Sequence, residues 1–258
     1  MIYWLIAFVF FICLLAMCIL VLPPVRYAIR FLRNIKPAGR LIGADALPEN
    51  GKALFVAATP GEVEFACGGT IPKLLERGNS VYLALLTDGK RPMIPLKYLR
   101  ERTVEKHRSQ QRKAAMVAGF ADVLFYGFPK DSLKGNEKAV AMISTLMREL
   151  KPTSVFAYDP EAPSLRKDPP AAGAIAGLAA ARSGSKASVF YYMTHRPNVI
   201  IDVSDTFEAK LRLLSHFDKS FVWRLGFGTV LSKIGSRYGT VLGIEHGEGY
   251  LRSSRSVA

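Results

Sequence analysis

At 258 residues the chain has room for an apolar anchor and one soluble domain of ordinary size. Half of the residues are hydrophobic and 22% are charged, which excludes an intrinsically disordered chain. The formal net charge of +14 asks for an anionic partner, and three cysteines, two of them inside one apolar run, exclude a disulfide framework and a cysteine-type zinc site.

The apolar run is Ile2–Leu22, IYWLIAFVFFICLLAMCILVL, without a charge or a proline. As a helix it would measure about 30 Å, the thickness of a bilayer core. No basic residue precedes it and no A-x-A pattern closes it before Pro23-Pro24-Val25, so it reads as a transmembrane anchor rather than a cleaved signal peptide. Arg26, Arg30, Arg33, Lys36 and Arg40 follow, with no acid before Asp45. By the positive-inside rule this flank, and the domain after it, is expected in the cytoplasm. The same cluster suits anionic headgroups, at about 1 kcal/mol per basic residue near the surface. Turn signals through Pro37–Gly51 read as a tether. The expected organisation is an anchor over 1–24, a basic juxtamembrane tether over 25–50 and one α/β domain over 51–258.

Within that domain short apolar runs alternate with helical stretches. Strands are expected at Ala53–Ala58, Val81–Thr87, Asp122–Phe125, Ser154–Tyr158, Ser188–Met193 and Val199–Val203. Helices are expected at Gly69–Arg77, Glu101–Gly119, Lys138–Leu150, Pro169–Arg182 and Thr206–Phe217. Strands separated by helices imply right-handed crossovers and a mostly parallel, Rossmann-like sheet with helices on both faces. The ligand crevice then lies at the carboxyl ends of the strands, after Ala58, Thr87, Phe125 and Tyr158. The tail from Phe221 is Gly-rich and basic, and its pattern assigns no element.

The segments at those strand ends carry the chemistry. They read Thr59-Pro60-Gly61-Glu62-Val63-Glu64-Phe65-Ala66-Cys67-Gly68-Gly69-Thr70, then Thr87-Asp88-Gly89-Lys90, then Asp159-Pro160 and Arg166-Lys167-Asp168-Pro169-Pro170-Ala171-Ala172-Gly173. With Arg108 to Gln111, and Lys210 ahead of Ser215-His216, their order resembles the PIG-L/LmbE family over roughly Ala53 to Tyr250. The resemblance implies a zinc-dependent deacetylase of N-acetylglucosaminyl groups, including glucosaminyl-phosphatidylinositol precursors. It implies zinc ligands at the positions of Thr59, Glu62 and Pro169, a general base at Gly61, a further histidine at Arg166, and a headgroup-holding role for Arg108.

The residues present do not match that chemistry. A catalytic zinc takes three protein ligands and an open position, and only Glu62 among these positions carries a metal-binding group. Gly61 cannot accept a proton, so neither zinc nor any other cofactor is expected. Glu62, Glu64, Asp88, Asp159, Glu161 and Asp168 all fall near strand ends, and a carboxylate-rich site would suit magnesium or calcium. The simpler expectation is that Glu64 and Glu161 are solvated and Asp88 caps a turn before Gly89. Of His107, His195, His216 and His246, none at ligand spacing, His195 is the one expected to face the crevice. Substrate-binding candidates are therefore Arg108, Asp88 and His195. No G-x-G-x-x-G, P-loop or G-x-S-x-G pattern occurs, and basic charge without an aromatic RNA motif disfavours nucleic acid. The expected function is a membrane-anchored protein of deacetylase fold without zinc catalysis, binding a sugar, a lipid headgroup or a protein. The alternative is an active N-acetylglucosaminyl deacetylase or other amidohydrolase with a rearranged site.

Overall fold

The computed structural model describes residues 26, 29–37, 43, 46–88, 97–217 and 227–253. The apolar run Ile2–Leu22 lies outside them, and among the described residues no helix is long and apolar enough to cross a membrane.

Five strands form the parallel part of the sheet: β1 (Lys52–Ala57), β2 (Ser80–Thr87), β3 (Asp122–Phe128), β4 (Ser154–Tyr158) and β5 (Ser188–Tyr192). Their order, β3-β2-β1-β4-β5, reverses direction between β1 and β4. β6 (Val199–Asp202) and β7 (Gly247–Ser253) extend this sheet beyond β5, with β7 antiparallel to both β5 and β6. The central strands read as continuous apolar runs because helices bury both of their faces. On one face Phe55, Phe156 and Phe190 are register neighbours on β1, β4 and β5, and their rings stack at 4.6 and 4.9 Å.

Helices α2 (Glu62–Cys67), α3 (Thr70–Glu76) and α7 (Phe207–Leu214) supply residues to that face or pack beside it. Helices α5 (Glu137–Leu150) and α6 (Asp168–Ser183) cover the other. The long helix α4 (Lys97–Ala118) leads into β3, and α8 (Phe227–Gly239) leads into β7. Three departures from the expected pattern matter for the site. α2 falls where only a turn is expected, α8 and β7 fall in the basic tail, and the helix expected over Thr206–Phe217 is confined to Phe207–Leu214.

The basic stretch before β1 is packed in its described part. Residues 29–33 are helical (α1), and Phe31 and Ile35 are buried against Ile200 and Tyr238. The Arg237 Nε donates to the Leu32 carbonyl at 3.1 Å, and the Lys36 amide donates to the His195 carbonyl at 2.8 Å. Arg26, Arg30 and Arg33 remain exposed, at spacings that align them on one helical stripe.

Candidate functional site

The strand order reverses between β1 and β4, and in open α/β sheets the ligand crevice lies at the carboxyl ends of the strands at such a point. β1 delivers Thr59 and, through a left-handed turn at Gly61 (φ 81°), the start of α2. β4 delivers the loop carrying Arg166, and β5 ends on Tyr192. A glycine inside α6 sets the height of that loop. A Cβ on Gly173 would lie 1.9 Å from the Tyr158 carbonyl oxygen, so only glycine lets α6 approach β4 this closely.

Four side chains meet here. The Tyr192 hydroxyl donates to Glu62 Oε1 at 2.8 Å, and the Thr59 hydroxyl lies 3.4 Å from Glu62 Oε2. The Arg166 Nη1 donates to Thr59 Oγ1 at 3.0 Å. Burial pushes the Glu62 carboxyl above its ordinary range, which the Arg166 charge and the Tyr192 hydrogen bond offset only in part. Burial, and then the Glu62 charge, push the Tyr192 phenol well above 10.

Beneath these lies a second polar layer. The Gly61 amide donates to Gln111 Oε1 at 3.0 Å, and Gln111 Nε2 donates to Glu64 Oε1 at 2.5 Å. Glu64, expected in solvent, is fully buried instead, and α2 is the reason: the helix turns this position inward. Its Oε2 has no hydrogen-bond partner, and burial pushes its carboxyl up to about 7. A third network locks the far end of the same segment. Glu248 on β7 accepts from the Gly69 and Thr70 amides at 3.0 and 2.8 Å, and from Lys210 Nζ at 2.6 Å. That carboxylate thus caps the start of α3, where a negative charge is favoured.

The remaining candidates divide. Arg108 and Asp88 do come together: Nε and Nη2 of the guanidinium donate to the two carboxylate oxygens, each at 3.0 Å. Among the described residues Asp88 makes this bidentate ion pair, and Gly89, before which a turn cap is expected, lies outside them. Phe125 braces Arg108 from the side, its ring centroid 5.4 Å from the guanidinium carbon. His195 lies on the loop after β5, and its Nδ1 is buried without a partner. No described hydrogen bond joins it to Thr59, Glu62 or Arg166. Glu161 is exposed and paired with Arg196 at 2.5 Å. Pro169 is buried in the first turn of α6.

These residues do not fit a catalytic zinc. Thr59 and Pro169 offer no imidazole or carboxylate, both oxygens of Glu62 face neighbouring hydroxyls, and a guanidinium stands 3.0 Å from the Thr59 oxygen. Among the described residues no group of three or more His, Cys, Asp or Glu is placed to hold a metal ion.

The strand order, the crevice at its reversal and the Cys67-Gly68-Gly69-Thr70 turn between α2 and α3 define an α/β protein of the LmbE-like deacetylase fold. Residues 54–170 match the family described as PIG-L: GlcNAc-PI de-N-acetylase. The diacetylchitobiose deacetylase of Thermococcus kodakarensis is 27% identical over 218 residues, 77% of this chain and 81% of that protein. The N,N'-diacetylchitobiose deacetylase of Pyrococcus horikoshii, in complex with its inhibitor, superposes with a TM-score of 0.71 at 24% identity, over 78% of this chain and 83% of that one. The 4-carboxy-2-hydroxymuconate hydratase of Pseudomonas putida KT2440 gives 0.67 at 18% identity, over 80% and 98%. The family match runs from β1 to the first turn of α6. A hydratase on the same frame means that the fold alone does not set the reaction, which has to be argued from the site.

Proposed function

We propose that this is a membrane-anchored protein of deacetylase fold whose crevice binds a ligand without zinc-dependent hydrolysis. The observation that carries the reading is the Glu62 carboxylate held between Tyr192 and Thr59, with Arg166 against Thr59. Zinc would have to displace these contacts and sit beside a permanent cation, with one carboxylate as its only family-position ligand. The relatives suggest an amino-sugar derivative as the ligand, and the basic flank suggests a headgroup at a bilayer surface. Membrane attachment is supported by the apolar run Ile2–Leu22 and by the exposed stripe Arg26, Arg30 and Arg33 directly after it. Because Phe31 and Ile35 are buried on the domain, that attachment would hold the crevice at a fixed height rather than on a loose leash. The domain is then cytoplasmic, and a reporter fused after Ala258 should report from that side.

Zinc binding tests the reading. The full chain, purified in non-ionic detergent, should contain far less than one zinc per molecule and should not take up zinc in the presence of a weak competing chelator. Stoichiometric, tightly held zinc lost on Glu62→Ala would favour the second reading, an active amidohydrolase with a rearranged site. The 27% identity to a diacetylchitobiose deacetylase supports that alternative.

A further inference from the structure

Arg166 is exposed on the loop after β4, and its guanidinium spends one N–H on Thr59, just past the carboxyl end of β1. No carboxylate among the described residues lies within ion-pair distance of it, a state it shares with Arg148, Arg237 and Arg252, but Arg166 alone of these is seated on a residue at the carboxyl end of β1. Glu62 is its nearest acid in effect, acting through the field alone, since both Glu62 oxygens face Tyr192 and Thr59. A guanidinium has five N–H donors in a fixed fork, so four remain to be satisfied by water or by a ligand. The start of α6 adds no free positive charge here, because Asp168 already stands in its first turn. The attraction at this point is therefore the guanidinium itself, in a chain of formal charge +14.

We propose that Arg166, seated on the Thr59 hydroxyl, is an oxyanion-binding subsite, and that the crevice recognises a ligand bearing a phosphate or carboxylate group. A guanidinium matches either oxyanion with two parallel hydrogen bonds, which a lysine cannot reproduce. The proposal rests on the metal-free reading of the crevice and is tested so that the two fail separately.

The test uses the full chain in non-ionic detergent, with and without excess EDTA, titrated with inorganic phosphate and, separately, with acetate, following thermal unfolding. Saturable stabilisation by at least one anion is expected. Arg166→Ala should weaken it about tenfold or more, and Arg166→Lys should weaken it less. Lys186→Gln, which removes the same charge at a remote exposed site, should leave it unchanged. Glucosamine 6-phosphate competing with phosphate would assign a soluble ligand, and competition by phosphatidylinositol vesicles alone would assign a headgroup; either result upholds the subsite. No saturable effect in the wild type, or equal losses in the alanine and Lys186 variants, would overturn it. Anion binding that EDTA abolishes would overturn both the subsite and the metal-free reading, whereas zinc found in the protein before chelation would count against the latter alone.

Discussion

Replacing Glu64 by glutamine should remove a pH-dependent weakness from the core. Glu64 is wholly buried, accepts one hydrogen bond from Gln111, and leaves Oε2 without a partner. Its carboxyl is raised from 4.5 to about 7, so the folded chain holds this proton more tightly than the unfolded one. Between those two values the native state binds more protons, and stability falls as pH rises, levelling off above the folded value. At about 1.4 kcal/mol per tenfold change in proton affinity, the ceiling is on the order of 3 kcal/mol. Glutamine is uncharged, nearly the same shape, and keeps an acceptor for Gln111. At pH 8 the variant should therefore unfold several degrees above the wild type, taking roughly 2–4 °C per kcal/mol for a domain of this size. At pH 5 the two should agree within about 1 kcal/mol, the cost of an amide placed where Oε2 has no partner. Circular dichroism melts of the full chain at pH 5, 6, 7 and 8 make the comparison. Parallel curves at every pH, or a variant less stable at pH 8, would refute an ionising buried Glu64. Glu62 is shifted in the same direction, so some pH dependence should survive in the variant.

Three further outcomes follow from the packing. Glu248→Gln should cost about 3–5 kcal/mol, read as a lower melting temperature, because it strands the buried Lys210 ammonium and weakens the cap on α3. Gly173→Ala should cost on the order of 1–3 kcal/mol and weaken ligand binding in the crevice, since the methyl meets the Tyr158 carbonyl and must push α6 away. Asp88→Asn should free Arg108 from its bidentate partner, and thermal melts should show a loss of about 1–3 kcal/mol from that half-buried pair.

The parallel sheet was legible because strands buried on both faces read as unbroken apolar runs. Ala53–Ala58 and Ser154–Tyr158 differ from β1 and β4 by a residue or none. β7 was not legible, because its Gly247-Glu248-Gly249-Tyr250 start looks polar and the ion that neutralises Glu248 lies 38 residues away on α7. Glu64 was misread for a related reason. A glutamate is exposed by default, and the groups that bury it, Gln111 on α4 and the inward turn of α2, are set by tertiary packing. The substitutions at Thr59, Gly61, Glu62 and Pro169 could be read position by position from the family resemblance. That Tyr192 and Arg166 close around Glu62 and Thr59 could not, since 130 and 107 residues separate those partners. The Gly61 turn also changes what repair would require. At φ 81° an aspartate is strained, by about 1–2 kcal/mol for an L-residue, so restoring the family base there would work against the backbone.

Acetate release decides whether this deacetylase fold catalyses deacetylation. The full chain would be supplied with excess zinc and offered diacetylchitobiose and an N-acetylglucosaminyl-phosphatidylinositol, with a chelated sample as control. With Glu62 as the lone ligand, acetate should be released no faster than in the control for either substrate. Zinc-dependent release that is abolished by Glu62→Ala would contradict it.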